Sequence, residues 1–373
     1  MAAEPDKARV LLAALISLLL FVPMFASCES PSPRVEYAMN TLCSVNLFGD
    51  GNSRLYSEIF LRIREIDRTM TAFPPILEPV AGGPVSGVVE IGRQAGIMPV
   101  HVGPDLIFVL ERALYFAEIS DGAFDPTIGP LTKLWGIRTQ AQRVPDCAEI
   151  AAALDLVDWR DLVIDREAGT VFLRRPGMSL DLGSIAKGYA GDEAARIARE
   201  AGVRRAIIDL GGNIVLVGRR QQRGNTLQRL FSRRVHEDLP WRIGLQNPIA
   251  GRGEHIAVVY AHDTSIVTSG VYNRFFVVPA PDGNRRYHHL FSTTTGFPVE
   301  NGLLSVTVIT KSSTDADALS TVAFTMGYER GRAVIDSRPG VEAIFVFEDR
   351  SVRITCGLAG ILRMAGDEFV LAE

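Results

Sequence analysis

Asp181-Leu-Gly-Ser-Ile-Ala-Lys-Gly-Tyr-Ala190 joins an apolar run, Met178 to Leu182, to an alanine-rich stretch from Ile185 to Ala201 that Gly202 ends. The pattern predicts a strand, a glycine turn and a helix. A helix start offers unpaired N–H groups and a partial positive charge, which suit phosphate. Lys187 adds an ammonium in the first helical turn, and Asp181 adds an acceptor for a sugar or a base. An Asp/Gly turn that merely caps a surface helix has the same outline, so the neighbouring stretches must decide.

Outward from this segment, strands and helices mix without βαβ repetition, which predicts an α+β fold with mixed or antiparallel sheets rather than a doubly wound one. Val35 to Phe48 alternates as a strand, and Leu55 to Met70 has helical spacing in Ile59, Ile63, Ile66 and Met70. Phe73 to Gly96, rich in proline and glycine, reads as a long loop. Helices are expected from Pro104 to Ile119 and from Ala148 to Val157, and a hairpin from Leu162 to Phe172. Strands follow at Arg205 to Leu210, Trp241 to Leu245, Ile256 to His262, Phe275 to Pro279 and Leu303 to Ile309, then a hairpin from Glu342 to Thr355. Arg219 to Arg234 has six arginines and few apolar residues. Without interleaved aromatics it reads as a surface insertion, not a nucleic-acid arm.

Three further stretches carry chemistry. In Thr314-Asp-Ala-Asp-Ala-Leu-Ser-Thr321, with Thr314 as helix cap, Asp317 and Thr321 share one face. Carboxylate and hydroxyl at that spacing can hold one hard cation, with phosphate and water completing the shell as magnesium prefers. A capping pair would look the same. Asp125-Pro-Thr-Ile-Gly-Pro130, after Gly122-Ala-Phe and before Trp135-Gly136, is a stiff turn that can meet a heteroaromatic ring, and an ordinary loop packed by its aromatics would read the same. His288 and His289 are adjacent on a strand, so they face opposite sides and only one can enter a cleft. No Rossmann glycine fingerprint, P-loop, H-E-x-x-H or C-x-x-C motif is present.

In this order the segments resemble the FAD:protein FMN transferases, the ApbE-type flavin transferases, over nearly the whole mature chain. The resemblance is carried by Met39-Asn-Thr41, Gly122 to Thr127 with Trp135-Gly136, Asp181 to Gly188 and Asp209-Leu-Gly-Gly-Asn213. Thr268-Ser-Gly270, His289 with Thr295-Gly296, and Asp315 to Thr321 complete it. It implies a T-fold-like α+β protein that cleaves FAD with Mg²⁺ on the pyrophosphate and transfers FMN to a threonine or serine of a partner flavoprotein, of redox-pump or FMN-binding-domain type, releasing AMP. Met39, Phe73, Ala123, Phe124, Asp125, Asp181, Lys187, His289 and Leu290 would contact FAD. The Ser184 carbonyl, Asp317 and Thr321 would hold the metal, with Lys187 and Asp317 at the reaction centre and His289 as the base. Asn40 stands in place of the family's glycine, Phe73 in place of the common tyrosine, and Ser292-Thr293 in place of Asp-Pro. An FAD pyrophosphatase and a flavin-scavenging protein without turnover are the rival readings.

The first 27 residues read as an export signal: Lys7 and Arg9, then an apolar run from Val10 to Ala26 broken by Ser17 and Pro23. At roughly 1.5 Å per residue the run is about 25 Å long, short of a bilayer core of about 30 Å. Ala26-Ser-Cys28 is similar to a lipobox, making Cys28 the acylated first residue of a periplasmic lipoprotein held at the bacterial inner membrane. An uncleaved anchor is the other reading. Residues 28–34 form a tether and 35–373 the catalytic domain. The net charge of −4 gives nucleic acid no basis for attraction. Cys43, Cys147 and Cys356 lie too far apart for a disulfide framework or a zinc site and are expected to be packed as small hydrophobes.

Overall fold

Period-two alternation in the strands builds the central element. The computed structural model describes residues 32–72, 86–137, 139–221, 238–251, 253–280 and 283–372. Among these, nine strands form one sheet in the order Arg34–Ala38, Thr41–Asn46, Ala206–Leu210, Asn213–Val217, Ser265–Gly270, Leu303–Thr310, Glu342–Phe347, Ser351–Ile354 and Val370–Leu371. Every pairing is antiparallel except the last. The α+β expectation therefore holds. Phe73 and Cys28 lie outside the described residues, as does most of the arginine-rich insertion.

Register divides the sheet's two faces. The pairs Cys43↔Leu210, Val45↔Ile208, Ile208↔Val215 and Val267↔Val308 put these side chains on one face, where all are buried. Asn213 and Ser269 share that face, by Asn213↔Val267 and Ser269↔Val306. Helices Ser53–Met70, Ala186–Glu200 and Ser313–Met326 complete the core. The first is capped by Asn52, whose side chain accepts from the Leu55 N–H, and it buries Leu55, Ile59, Ile63, Ile66 and Met70, the spacing legible in the sequence.

The Ala186–Glu200 and Ser313–Met326 helices cross very closely. A Cβ on Gly188 would lie 2.2 Å from the Ser313 carbonyl oxygen, and one on Gly191 would lie 2.9 Å from Val215. The two helices also cap each other. Asp192 of the first accepts from the Ser313 and Thr314 N–H groups at 2.8 and 2.9 Å and from the Thr314 hydroxyl at 2.7 Å. Asp317 of the second accepts from the Gly188 N–H at 2.9 Å, at the first turn of its neighbour.

Several local expectations are corrected. The apparent strand from Val35 to Phe48 is a hairpin, turned at Met39 and Asn40, both with positive φ (51° and 58°). That is the backbone of a type I′ turn. Gly87–Arg93 is helical within the stretch read as loop. Met178 to Leu182 forms only an isolated bridge, Ser179 to Ile128. Ser312, not Thr314, caps the last core helix, so Asp317 lies beyond its first turn. Gly283 opens the strand Gly283–His288. Cys43 is buried, whereas Cys147 and Cys356 are exposed.

Candidate active site

The turns at Met39–Asn40 and Gly211–Gly212 and the strand end at Gly270 lie at one end of the large sheet. They border a cavity of about 630 Å³. Gly211, at φ +67°, brings its turn so near the hairpin that a Cβ there would lie 2.2 Å from the Thr41 hydroxyl. The Asp181–Ala190 segment and the Asp317–Thr321 helix face reach the same cavity. Ala123, Phe124, Asp125, Asp181, Ser184, Lys187, His289, Leu290, Asp317 and Thr321 all line it. Of the other anticipated FAD contacts, Met39 does not line the cavity and is buried, although its neighbour Asn40 lines it.

Charge is concentrated at the helix start. Ile185 gives the Ala186–Glu200 helix no side-chain cap, and the buried Asp317 carboxylate takes the Gly188 N–H instead. Lys187 Nζ lies 3.4 Å from Asp317 Oδ1, 3.2 Å from Asn213 Oδ1 and 3.5 Å from the Gly183 carbonyl. Thr321 sits on the same face as Asp317, and its hydroxyl meets Ser269 Oγ at 3.1 Å. Asp181 Oδ1 accepts from the Gly183 N–H at 2.8 Å and thereby fixes the turn that carries Ser184.

Carboxylate, hydroxyl and carbonyl make an all-oxygen donor set that suits a hard cation and leaves positions for phosphate and water. No group of three or more His, Cys, Asp or Glu side chains able to hold a metal is found among the described residues. Asp317, Thr321 and the Ser184 carbonyl fit magnesium and give no basis for zinc.

The opposite wall is stiffened by Asp125. Its carboxylate accepts from the Thr127 N–H and hydroxyl, both at 2.7 Å, and from the Trp159 N–H at 2.9 Å. Burial nevertheless raises its pKa to about 6. Met39 is held in its left-handed conformation by Asp67, which accepts its N–H at 2.7 Å. His289 lies 3.2 Å from the Arg274 carbonyl through Nδ1. A carbonyl only accepts, so the neutral ring carries its proton on Nδ1 and presents a lone pair on Nε2. Desolvation, with the Arg274 and His288 charges, lowers its pKa to about 3. His288 faces the other way and hydrogen-bonds the Val299 carbonyl at 3.1 Å, as the alternation required. Ser292 does not line the cavity; its Oγ accepts from the Thr294 and Thr295 N–H groups in a turn.

The role of Asn213 escaped the sequence. It is 2% exposed, holds Lys187 by its carbonyl oxygen, and leaves Nδ2 without a partner among the described residues. Its motif was visible, but the contact with Lys187 exists only because the Asn213–Val217 strand begins beside the helix start. Asp209, Tyr272 and Arg274 also line the cavity, and burial raises the Tyr272 hydroxyl to about 12.

Residues 39–345 match the ApbE family. An FAD:protein FMN transferase of Treponema pallidum (strain Nichols) is 36% identical over 345 residues, covering 91% of this chain and 90% of that protein. One from Klebsiella pneumoniae (strain 342) is 37% identical over 267 residues, covering 72% and 77%. The crystal structure of the ApbE protein from Thermotoga maritima superposes with a TM-score of 0.73 at 29% identity, covering 89% of this chain and 99% of that one. The flavin transferase ApbE from Vibrio cholerae gives 0.68 at 25% identity, covering 89% and 96%.

Proposed function

The chain belongs to the ApbE family and is an FAD:protein FMN transferase, and on that premise we propose a Mg²⁺-dependent reaction that joins FMN to a threonine or serine of a partner flavoprotein and releases AMP. The observation that carries this reading is the meeting of the Ala186–Glu200 helix start, Lys187, Asp317 and Thr321 in one cavity. Phosphoryl transfer needs mainly positioning and neutralisation of charge. The Ala186–Glu200 helix start and Lys187 would receive the pyrophosphate, with Asn213 orienting the ammonium. Asp317, Thr321 and the Ser184 carbonyl would hold the magnesium ion, which supplies charge neutralisation on the pyrophosphate oxygens. Phe124 and Met39 would meet the ring systems of FAD, with Ala123, Asp125, Asp181 and Leu290 bordering them.

In the transfer, the acceptor hydroxyl oxygen bonds to the FMN phosphorus as the bond from that phosphorus to the AMP oxygen breaks. AMP leaves with the electron pair, and the hydroxyl proton passes to His289 Nε2 and on to solvent. The low pKa of His289 keeps it neutral at pH 7, ready to accept. A bound pyrophosphate adds an anionic field that offsets the Arg274 and His288 contributions, while the larger effect of burial remains, and so raises its basicity. An extracytoplasmic enzyme anchored through Cys28 completes the proposal and rests on the sequence of residues 7–28. No helix among the described residues is long and apolar enough to cross a membrane.

The test is incubation with FAD, Mg²⁺ and an FMN-binding-domain protein, read by mass spectrometry. An acceptor heavier by FMN, with one AMP per adduct, is expected. AMP without an adduct would make the chain a pyrophosphatase, and intact FAD would make it a flavin-binding protein.

A further inference from the structure

Among the described residues, strands Phe275–Ala280 and Gly283–His288 pair only with each other, and they form an arm beside the cavity. Its inner face is anchored: Phe276 stacks on Tyr287 at 5.5 Å, Tyr287 lies 5.4 Å from Trp135, and Phe276 packs with Leu131, Ile150 and Phe291. Its outer face is open. Phe275 and Val277 are 36% and 45% exposed, two residues apart and so on one side of the strand. Val277 is paired directly with Arg286, whose guanidinium lies 4.5 Å over the Phe275 ring.

Two features distinguish this face from ordinary exposed apolar surface. Arg286, paired with Val277 and on the same side as Phe275, has no carboxylate partner among the described residues, in a chain whose net charge is −4. The arm also leaves the active-site wall directly, because Asn273 and Arg274 precede it, His289 and Leu290 follow it, and all four line the cavity. With six residues per strand, at about 3.3 Å each, the whole face lies within about 20 Å of the cavity rim. Aromatic and arginine side chains beside aliphatic ones are the composition of protein recognition surfaces.

We propose that the outer face of this hairpin docks the acceptor protein through a segment that carries carboxylates beside apolar side chains. The proposal rests on the transfer reading above and adds how the acceptor is recognised. A surface that bound phospholipid would have no cause to be continuous with the reaction cavity, whereas an acceptor must keep its hydroxyl there during transfer. Arg286 attracts the partner's acidic groups and sets the salt dependence of encounter. Phe275 and Val277 supply the apolar contact.

The test compares the wild type with Arg286→Glu and with Val277→Ser, using an FMN-binding-domain protein as probe. Acceptor KM should rise about tenfold in the charge-reversed enzyme, and its binding, read by fluorescence anisotropy without turnover, should weaken in parallel and lose its salt dependence. FAD affinity and AMP release to water should stay unchanged. Unaltered acceptor KM and binding would overturn the docking surface. Loss of sedimentation with phosphatidylglycerol vesicles at unaltered acceptor KM would instead assign the face to lipid. If no adduct forms with the wild type but charge reversal still weakens acceptor binding, the transfer reading fails and the docking surface stands.

Discussion

Asp317 does two things with one carboxylate. Oδ2 accepts from the Gly188 N–H, and Oδ1 faces Lys187. Asp317→Ala removes the charged donor to the proposed metal and one acceptor at the helix start. It should reduce FAD cleavage at least a hundredfold, a loss of about 2.7 kcal/mol in transition-state stabilisation. Thr321→Ala removes a neutral donor and should cost less. Turnover against Mg²⁺ concentration, with Mn²⁺ binding followed by electron paramagnetic resonance, checks both. Normal Mn²⁺ affinity in Asp317→Ala would move the ion elsewhere. His288 makes a separate prediction about pH. Burial lowers its pKa from 6.5 to about 4, so the stability it contributes is present above pH 6.5 and is lost as pH falls toward 4. Asp125, raised to about 6, acts in the opposite sense, because its ionisation costs stability as pH rises through that range. Comparison with a variant isolates the histidine. Between pH 7 and 4.5, urea unfolding of His288→Gln should show about 2 kcal/mol less loss than the wild type. Equal losses in both would show that the histidine is protonated without penalty.

At the scale of elements, the close crossing at Gly188 and Ser313 limits what the family motif tolerates. In Gly188→Ala the new methyl group would meet a carbonyl oxygen of the neighbouring helix, which cannot rotate away. A loss of about 1–3 kcal/mol in stability is expected, together with a displaced Asp317. Thermal unfolding and FAD cleavage should therefore fall together. A stable but inactive protein would indicate a direct role of this position in binding phosphate. The same elements show why some boundaries were not legible. Alternation runs through the Met39–Asn40 hairpin because a two-residue turn preserves strand periodicity, and neither turn residue is the glycine that usually marks it. Ser312 and Thr314 are both good caps, and only the Asp192 carboxylate from another helix shows how that start is completed.

For the whole molecule, the ordered motifs carried most of the site into view, because turns at one sheet end, a helix start and a helix face each keep a local sequence signature. Pairings across the fold left no such signature. Lys187 meets Asn213 across 26 positions and Asp317 across 130, and both contacts depend on strand order. The N-terminal prediction stands on sequence alone. Cys28→Ser should abolish metabolic lipid labelling and move the protein out of the membrane fraction. Retained detergent partitioning would favour an uncleaved anchor.

The mutual capping of the two core helices makes them partners in time as well as in space. Neither first turn can open without uncovering donors that the other helix satisfies, so the amide protons of Gly188, Ser313 and Thr314 should exchange with deuterium as one kinetic unit. Asp192→Asn should then quicken exchange at Gly188, although the altered side chain touches only the other helix start. Occupation of the cavity by FAD and Mg²⁺ should slow all three amides by one common factor. The catalytic centre would thus act as a clasp on the core, and its state could be followed by mass spectrometry without any reaction taking place.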